Sequence, residues 1–168
     1  MQTSPVPNFS MRLPPANAIA RMLSELTGRE VTAKAASTKL MASGMQAVGT
    51  YFGECESLRV VVCCDLAVGG SLGAALVMVP AARVDDCLQE KCLDETLTEN
   101  LYEVFNILAA VFPQNGSPRV ILRGLHCGAA IPGEVKAVLA NPLGRLDLEI
   151  DVAGYRSGRL SILARGQT

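Results

Sequence analysis

Apolar positions along this chain switch between two periods, about 3.6 and 2 residues, and the switches mark its elements. Ile19, Met22, Leu23 and Leu26 recur at helical spacing behind Pro14 and Pro15, and Gly28 supplies a stop, so Pro14 to Thr27 reads as a helix. Val31 to Ala36 and Ala47 to Phe52 read as strands, with the weakly patterned Lys39 to Gln46 between them. Leu58 to Ala67 is strongly β-like around Val60, Val61 and Val62. Val68-Gly69-Gly70 has the form of a turn, and Leu72 to Val79 is expected to return as a strand. Pro80 opens a helix to about Leu93, with Val84 and Leu88 inward.

The second half opens on the clearest helix of the sequence, Glu95 to Phe112, ended by Pro113, Gly116 and Pro118. At about 100° per residue, Leu97, Leu101, Val104, Phe105, Leu108 and Phe112 fall in one arc roughly 100° wide, the width of a core-facing stripe. Glu99, Glu103, Asn106 and Ala110 line up on the opposite side. Glu103 and Asn106 stand three residues apart, so their side chains can serve one small target. Thr96-Leu97-Thr98-Glu99 has the form of a capping box, which makes Glu99 a candidate helix-start residue as well.

Val120 to Leu125 follows as a strand, then a loop through Gly128, Pro132 and Gly133 and a short piece near Val135 to Leu139. Leu146, Leu148, Ile150 and Val152 alternate as in a half-buried strand; Gly154 to Gly158 turns, and Arg159 to Ala164 closes. The halves run in the same order, and Asp65 to Leu72 compares with Asp151 to Gly158. Together they predict two α-plus-β-hairpin units packed as one largely antiparallel sheet of about six strands. The fold class is therefore α/β in the α+β sense, with two long helices on one face of the sheet. Residues 1–13, with Pro5 and Pro7, read as a flexible tail, and 14–168 as a single domain.

Composition narrows the functions. The 168 residues are 49% hydrophobic and 18% charged, enough for a core and too apolar for a disordered chain. A net charge of −1 gives no general attraction to nucleic acid or anionic membranes. No apolar run reaches a spanning length and no signal-peptide pattern opens the sequence, so a cytoplasmic protein is expected. The six cysteines lack Cys-x-x-Cys spacing, and His126 alone cannot complete a metal site with paired thiols. They are expected to be buried and reduced. His126-Cys127 makes a poor base–nucleophile pair, because adjacent strand residues point to opposite faces. No phosphate-cradling glycine loop precedes a helix.

The run Glu99-Asn100-Leu101-Tyr102-Glu103-Val104-Phe105-Asn106-Ile107-Leu108-Ala109 resembles the signature helix of the CheC/CheX/FliY chemotaxis phosphatase family, in which Glu and Asn stand three apart. The order of elements over residues 14–164 is similar to CheX in particular. Glu99 replaces the usual Asp or Ser, Tyr102 and Phe105 are bulkier than usual, and Ala110 stands where Gly often follows. No second Glu-x-x-Asn occurs on the first helix, so one site per chain is expected.

The resemblance implies a protein that hydrolyses the aspartyl phosphate of a CheY-type response regulator. In that role Asn106 orients the attacking water and Glu103 pairs with the regulator's lysine, while Glu99, Tyr102 and Ala110 are candidate partner contacts. The chain itself would bind no cofactor, since Mg²⁺ would sit on the regulator. The alternative is a non-catalytic binding module of the same fold, like the flagellar switch proteins. A homodimer is also expected, with the apolar Arg59 to Leu66 and Arg159 to Ala164 as candidate sheet edges.

Overall fold

The computed structural model describes residues 11–40, 46–114, 116–128 and 131–165. Helix α1 (Ala16–Thr27) ends on Gly28 in the left-handed conformation at φ 65°, as the stop residue requires. Strands β1 (Val31–Ala35), β2 (Gln46–Phe52) and β3 (Leu58–Asp65) follow, then helices α2 (Leu66–Leu76), α3 (Ala81–Glu90), α4 (Glu95–Leu108) and the short α5 (Val111–Gln114). Strand β4 (Ile121–Cys127), helix α6 (Gly133–Ala140) and strands β5 (Gly144–Val152) and β6 (Gly158–Ala164) complete the chain.

The six strands form one sheet in the order β1-β5-β6-β3-β2-β4, antiparallel at every junction. Exchanging β1, β2 and β3 for β4, β5 and β6 turns that order into its own reverse, so the expected pseudo-twofold is present in the pairing. The hairpins β2–β3 and β5–β6 meet at the centre, where Val62 pairs with Ile162. The local match of Asp65–Leu72 with Asp151–Gly158 does not follow this symmetry. The first segment leaves β3 for a helix, whereas the second joins β5 to β6.

Helices α1, α2 and α4 cover one face of the sheet over a core that includes Leu23, Val62, Leu72, Leu101, Phe105 and Ile162. The expected pair of long helices is α1 and α4. Helix α6 covers the other face, burying Val135 and Val138 against Val48, Val61, Cys63 and Leu163.

Helix α2 corrects the expected strand over Leu72 to Val79. The Asp65 carboxylate ends β3 and caps the new helix, accepting from Val68 N at 2.9 Å and from Arg159 N at 2.8 Å. Gly69-Gly70 therefore lies inside a helix, with every residue from Val68 to Ala75 buried. Such a helix is apolar all round, so it shows no helical stripe and its glycines imitate a turn. Their use is close approach. A Cβ on Gly73 would lie 2.6 Å from the Leu97 carbonyl oxygen of α4, and one on Gly70 would lie 2.9 Å from Val84 of α3.

Three further expectations change. Strands β3 and β6 are the centre of the sheet, not its edges; the edges are β1 and β4. Their continuous apolar character reflects burial on both faces. Any self-association by strand pairing would use β1 or β4. The helix expected to reach Phe112 stops at Leu108 and restarts as α5, because Pro113 cannot sit deep in a continuous helix but fits the first turn of a new one. Of the expected tail, residues 1–10 lie outside the described residues. Met11 and Leu13 pack on the core, and the Arg12 backbone exchanges two hydrogen bonds with Ser117, at 2.7 and 3.0 Å.

Alanine in open helical space is normally better than glycine. Gly73→Ala is expected to do the opposite and cost about 1–3 kcal/mol, because its methyl meets backbone that cannot turn away. Gly133→Ala, with nothing within 4 Å, should be neutral or stabilising by up to ~0.5 kcal/mol. Urea denaturation of the two variants checks the opposite signs.

Candidate functional site

Helix α4 carries the candidate residues, and its start is fixed by Asp94. That carboxylate accepts from Leu97 N at 2.8 Å and pairs with Arg83 Nε at 2.6 Å, while Thr98 Oγ1 donates to the Asp94 carbonyl at 2.8 Å. The hydrogen bond from Leu97, with help from Arg83, holds the Asp94 carboxyl below the usual carboxylate range. Asp94 is thus the N-cap, and the expected Thr96–Glu99 capping box is not formed. An aspartate one residue before the helix outcompetes a threonine already inside it. Glu99 is left exposed on the helix surface.

Rotation of the helix is fixed from beneath. Leu97, Leu101, Val104, Phe105 and Leu108 are all fully buried, as the stripe predicts. Phe105 presses onto β2 at Gly49, where a Cβ would stand 2.7 Å from its ring. Tyr51, two residues on, donates its hydroxyl to the Phe105 carbonyl at 2.8 Å and meets the Phe112 ring edge-on at 5.9 Å. Phe105, bulkier than the family pattern, therefore points wholly into the core, and Gly49 makes room for it.

With that seating, Glu99, Tyr102, Glu103, Asn106, Ile107 and Ala110 are exposed together. They do not form one pocket. Glu99, Tyr102 and Glu103 join Thr98, Asn100 and Leu125 around an open concavity of about 570 Å³. Asn106 and Ala110 join Ala109, Pro113, Arg119, Val120 and Ile121 around a smaller one of about 260 Å³. Both are floored partly by the β4 side of the domain. Among the described residues neither Glu99 nor Glu103 has an ion-pair partner, and the Asn106 amide makes no hydrogen bond. The face thus offers two free carboxylates, an aromatic edge and a free amide. Leu125 and Arg119 were not among the expected site residues. Their place depends on β4 pairing with β2 at the sheet edge, which no local pattern shows.

No protein-family model matches the chain, and no curated protein sequence matches it significantly. Solved structures do match. A FliM in complex with SpeE from Helicobacter pylori superposes with a TM-score of 0.64 at 9% identity, covering 89% of this chain and 81% of that one. A CheX from Borrelia burgdorferi in complex with CheY superposes at 0.53 and 16% identity, covering 89% and 94%. FliY from Thermotoga maritima superposes at 0.51 and 12% identity, covering 88% and 82%. The protein has a CheC/CheX-like fold. At these identities the likeness speaks for the α+β architecture and not for the chemistry of α4.

All six cysteines are free, but Cys55, Cys92 and Cys127 are exposed, contrary to the expectation that all are buried. Cys55 and Cys92 lie outside strands and helices, and Cys127 ends an edge strand, where little covers it. His126 and Cys127 pair with successive residues of β2, Val48 and Ala47, so their side chains diverge as expected. Among the described residues no three His, Cys, Asp or Glu side chains gather to hold a metal ion, and no helix is long and apolar enough to cross a membrane.

Burial pushes the Cys63 thiol up to about 12 from a free cysteine's 9.0, and drives the Cys64 thiol and the Tyr51 hydroxyl well above their ordinary values. The unfolded chain releases these protons at lower pH than the folded one. Stability is therefore full below about pH 8.5 and falls as pH rises through the unfolded values. Tyr51→Phe should cost about 1–3 kcal/mol at neutral pH, through loss of the hydrogen bond to the Phe105 carbonyl, and should make the alkaline decline shallower. Urea midpoints measured from neutral pH to about pH 10.5 check both effects.

Proposed function

We propose that this protein removes the phosphoryl group from the aspartyl phosphate of a CheY-type response regulator, acting through the exposed face of α4. One observation carries the reading: Glu103 and Asn106 are both exposed and unpartnered, three residues apart on a helix whose rotation Phe105 and Tyr51 fix. The CheX from Borrelia burgdorferi, solved with CheY, BeF₃ and magnesium, supports a receiver domain as the partner class.

In this reading Asn106 enters the regulator's site and holds a water in line with phosphorus. An amide both accepts from and donates to water, so it orients the nucleophile without taking its proton. The water oxygen bonds to phosphorus as the acyl C–O–P linkage opens on the phosphorus side. The electron pair stays on the aspartate carboxylate, and both water protons leave with the phosphate as dihydrogen phosphate. Positioning is the main requirement of such a step. Glu103 pairs with the lysine beside the acyl phosphate through a charge-assisted bond. Mg²⁺ is supplied by the regulator.

A second reading, a binding module without catalysis, is favoured by the superposition on FliM and by exposed Tyr102 and Ile107 beside the key pair. The two readings separate on one residue. Asn106→Ala should slow phosphate release from the phosphorylated regulator on the order of a hundredfold while leaving binding and the melting curve intact. An unchanged rate would leave the binding module standing. Glu103→Lys should weaken binding in either case.

A further inference from the structure

Glu103 and Asn106 leave the charge of the phosphoryl group without a partner on this chain, and the structure supplies one. Arg119, just before β4, lines the same concavity of about 260 Å³ as Asn106. The other lining residues, Ala109, Ala110, Pro113, Val120 and Ile121, carry no charge. Arg83, Arg123, Arg145, Arg156 and Arg165 are each paired with a carboxylate. Arg119 is exposed and has no such partner among the described residues.

Helix electrostatics make a cation there useful. Asn106 lies in the last turn of α4, which ends at Leu108. Helix C-termini carry a partial negative charge and repel anions. A phosphoryl group brings roughly 1.5–2 negative charges at neutral pH. An unpaired guanidinium beside the amide offsets that repulsion, and its planar fork matches phosphoryl oxygens. The face is thus divided: Glu99 and Glu103 line one concavity and Arg119 the other. That division complements a site where a lysine stands next to a phosphoryl group.

We infer that Arg119 is a specificity residue that reads the phosphoryl group, so that the α4 face prefers the phosphorylated regulator over the unphosphorylated one. This rests on the proposed regulator phosphatase reading.

The test uses the full chain and the CheY-type regulators of its genome, each with BeF₃ and Mg²⁺ and each without BeF₃. Arg119→Ala should lose about tenfold in affinity for the BeF₃ form and little for the other. Arg119→Lys should recover part of the loss, because it restores charge without the fork. The residue is exposed, so the variants should melt like the wild type. An equal loss for both forms would mean that Arg119 meets a carboxylate of the partner, and would overturn the inference. So would no loss in either form. If the wild type binds a regulator and speeds phosphate release while Arg119→Ala does the same with unchanged preference, the inference alone fails. If the wild type neither binds nor dephosphorylates any of them, the proposed function fails and this inference falls with it.

Discussion

The seating of α4 is the constraint on which the rest depends. Two absent side chains define it. Gly73 lets α2 approach so closely that a Cβ there would meet the Leu97 carbonyl, and Gly49 opens a hollow in β2 that the Phe105 ring fills. The Tyr51 hydroxyl then locks the Phe105 carbonyl. A helix held by backbone contact on one side and a filled hollow on the other can neither roll nor slide freely. Its outward face is therefore as well defined as its buried one, although Glu99, Tyr102, Glu103, Asn106, Ile107 and Ala110 on it are exposed.

This explains how a sheet domain presents a rigid, exposed helix face. Helix α2 is almost wholly buried, packed against α4, α3 and the sheet, while the pseudo-twofold pairing holds β3 and β6 at the centre. Asp65 ties these parts together, capping α2 and accepting from the β6 backbone. The symmetry is one of fold only. The first long helix has Glu25 but no asparagine three residues on, so the exposed Glu-x-x-Asn pair occurs on α4 alone.

Much of this was legible in the residues themselves. The stripe from Leu97 to Leu108 gave the buried side of α4, and with it the exposure of Glu103, Asn106, Tyr102 and Ala110. Alternation over Leu146 to Val152 marked β5, and Gly28 marked the end of α1. What failed did so for identifiable reasons. An all-apolar helix has no amphipathic period, so α2 resembled a glycine turn followed by a strand. Strands buried on both faces read as apolar edges when their neighbours are unknown, which misplaced β3 and β6. Arg119 and Leu125 join the site only through long-range strand pairing, and Asp94, two residues before Thr96, took its place as the cap.

The central claim is that the outward face of α4, with the start of β4, is where a CheY-type regulator docks. Amide hydrogen exchange of the full chain, alone and with a BeF₃-activated regulator, tests it most directly. Slowed exchange is expected to centre on residues 99–110 and 119–121, with the far edge at β1 and the opposite face at α6 unchanged. Protection concentrated on β1 or α6, with α4 unaffected, would contradict it.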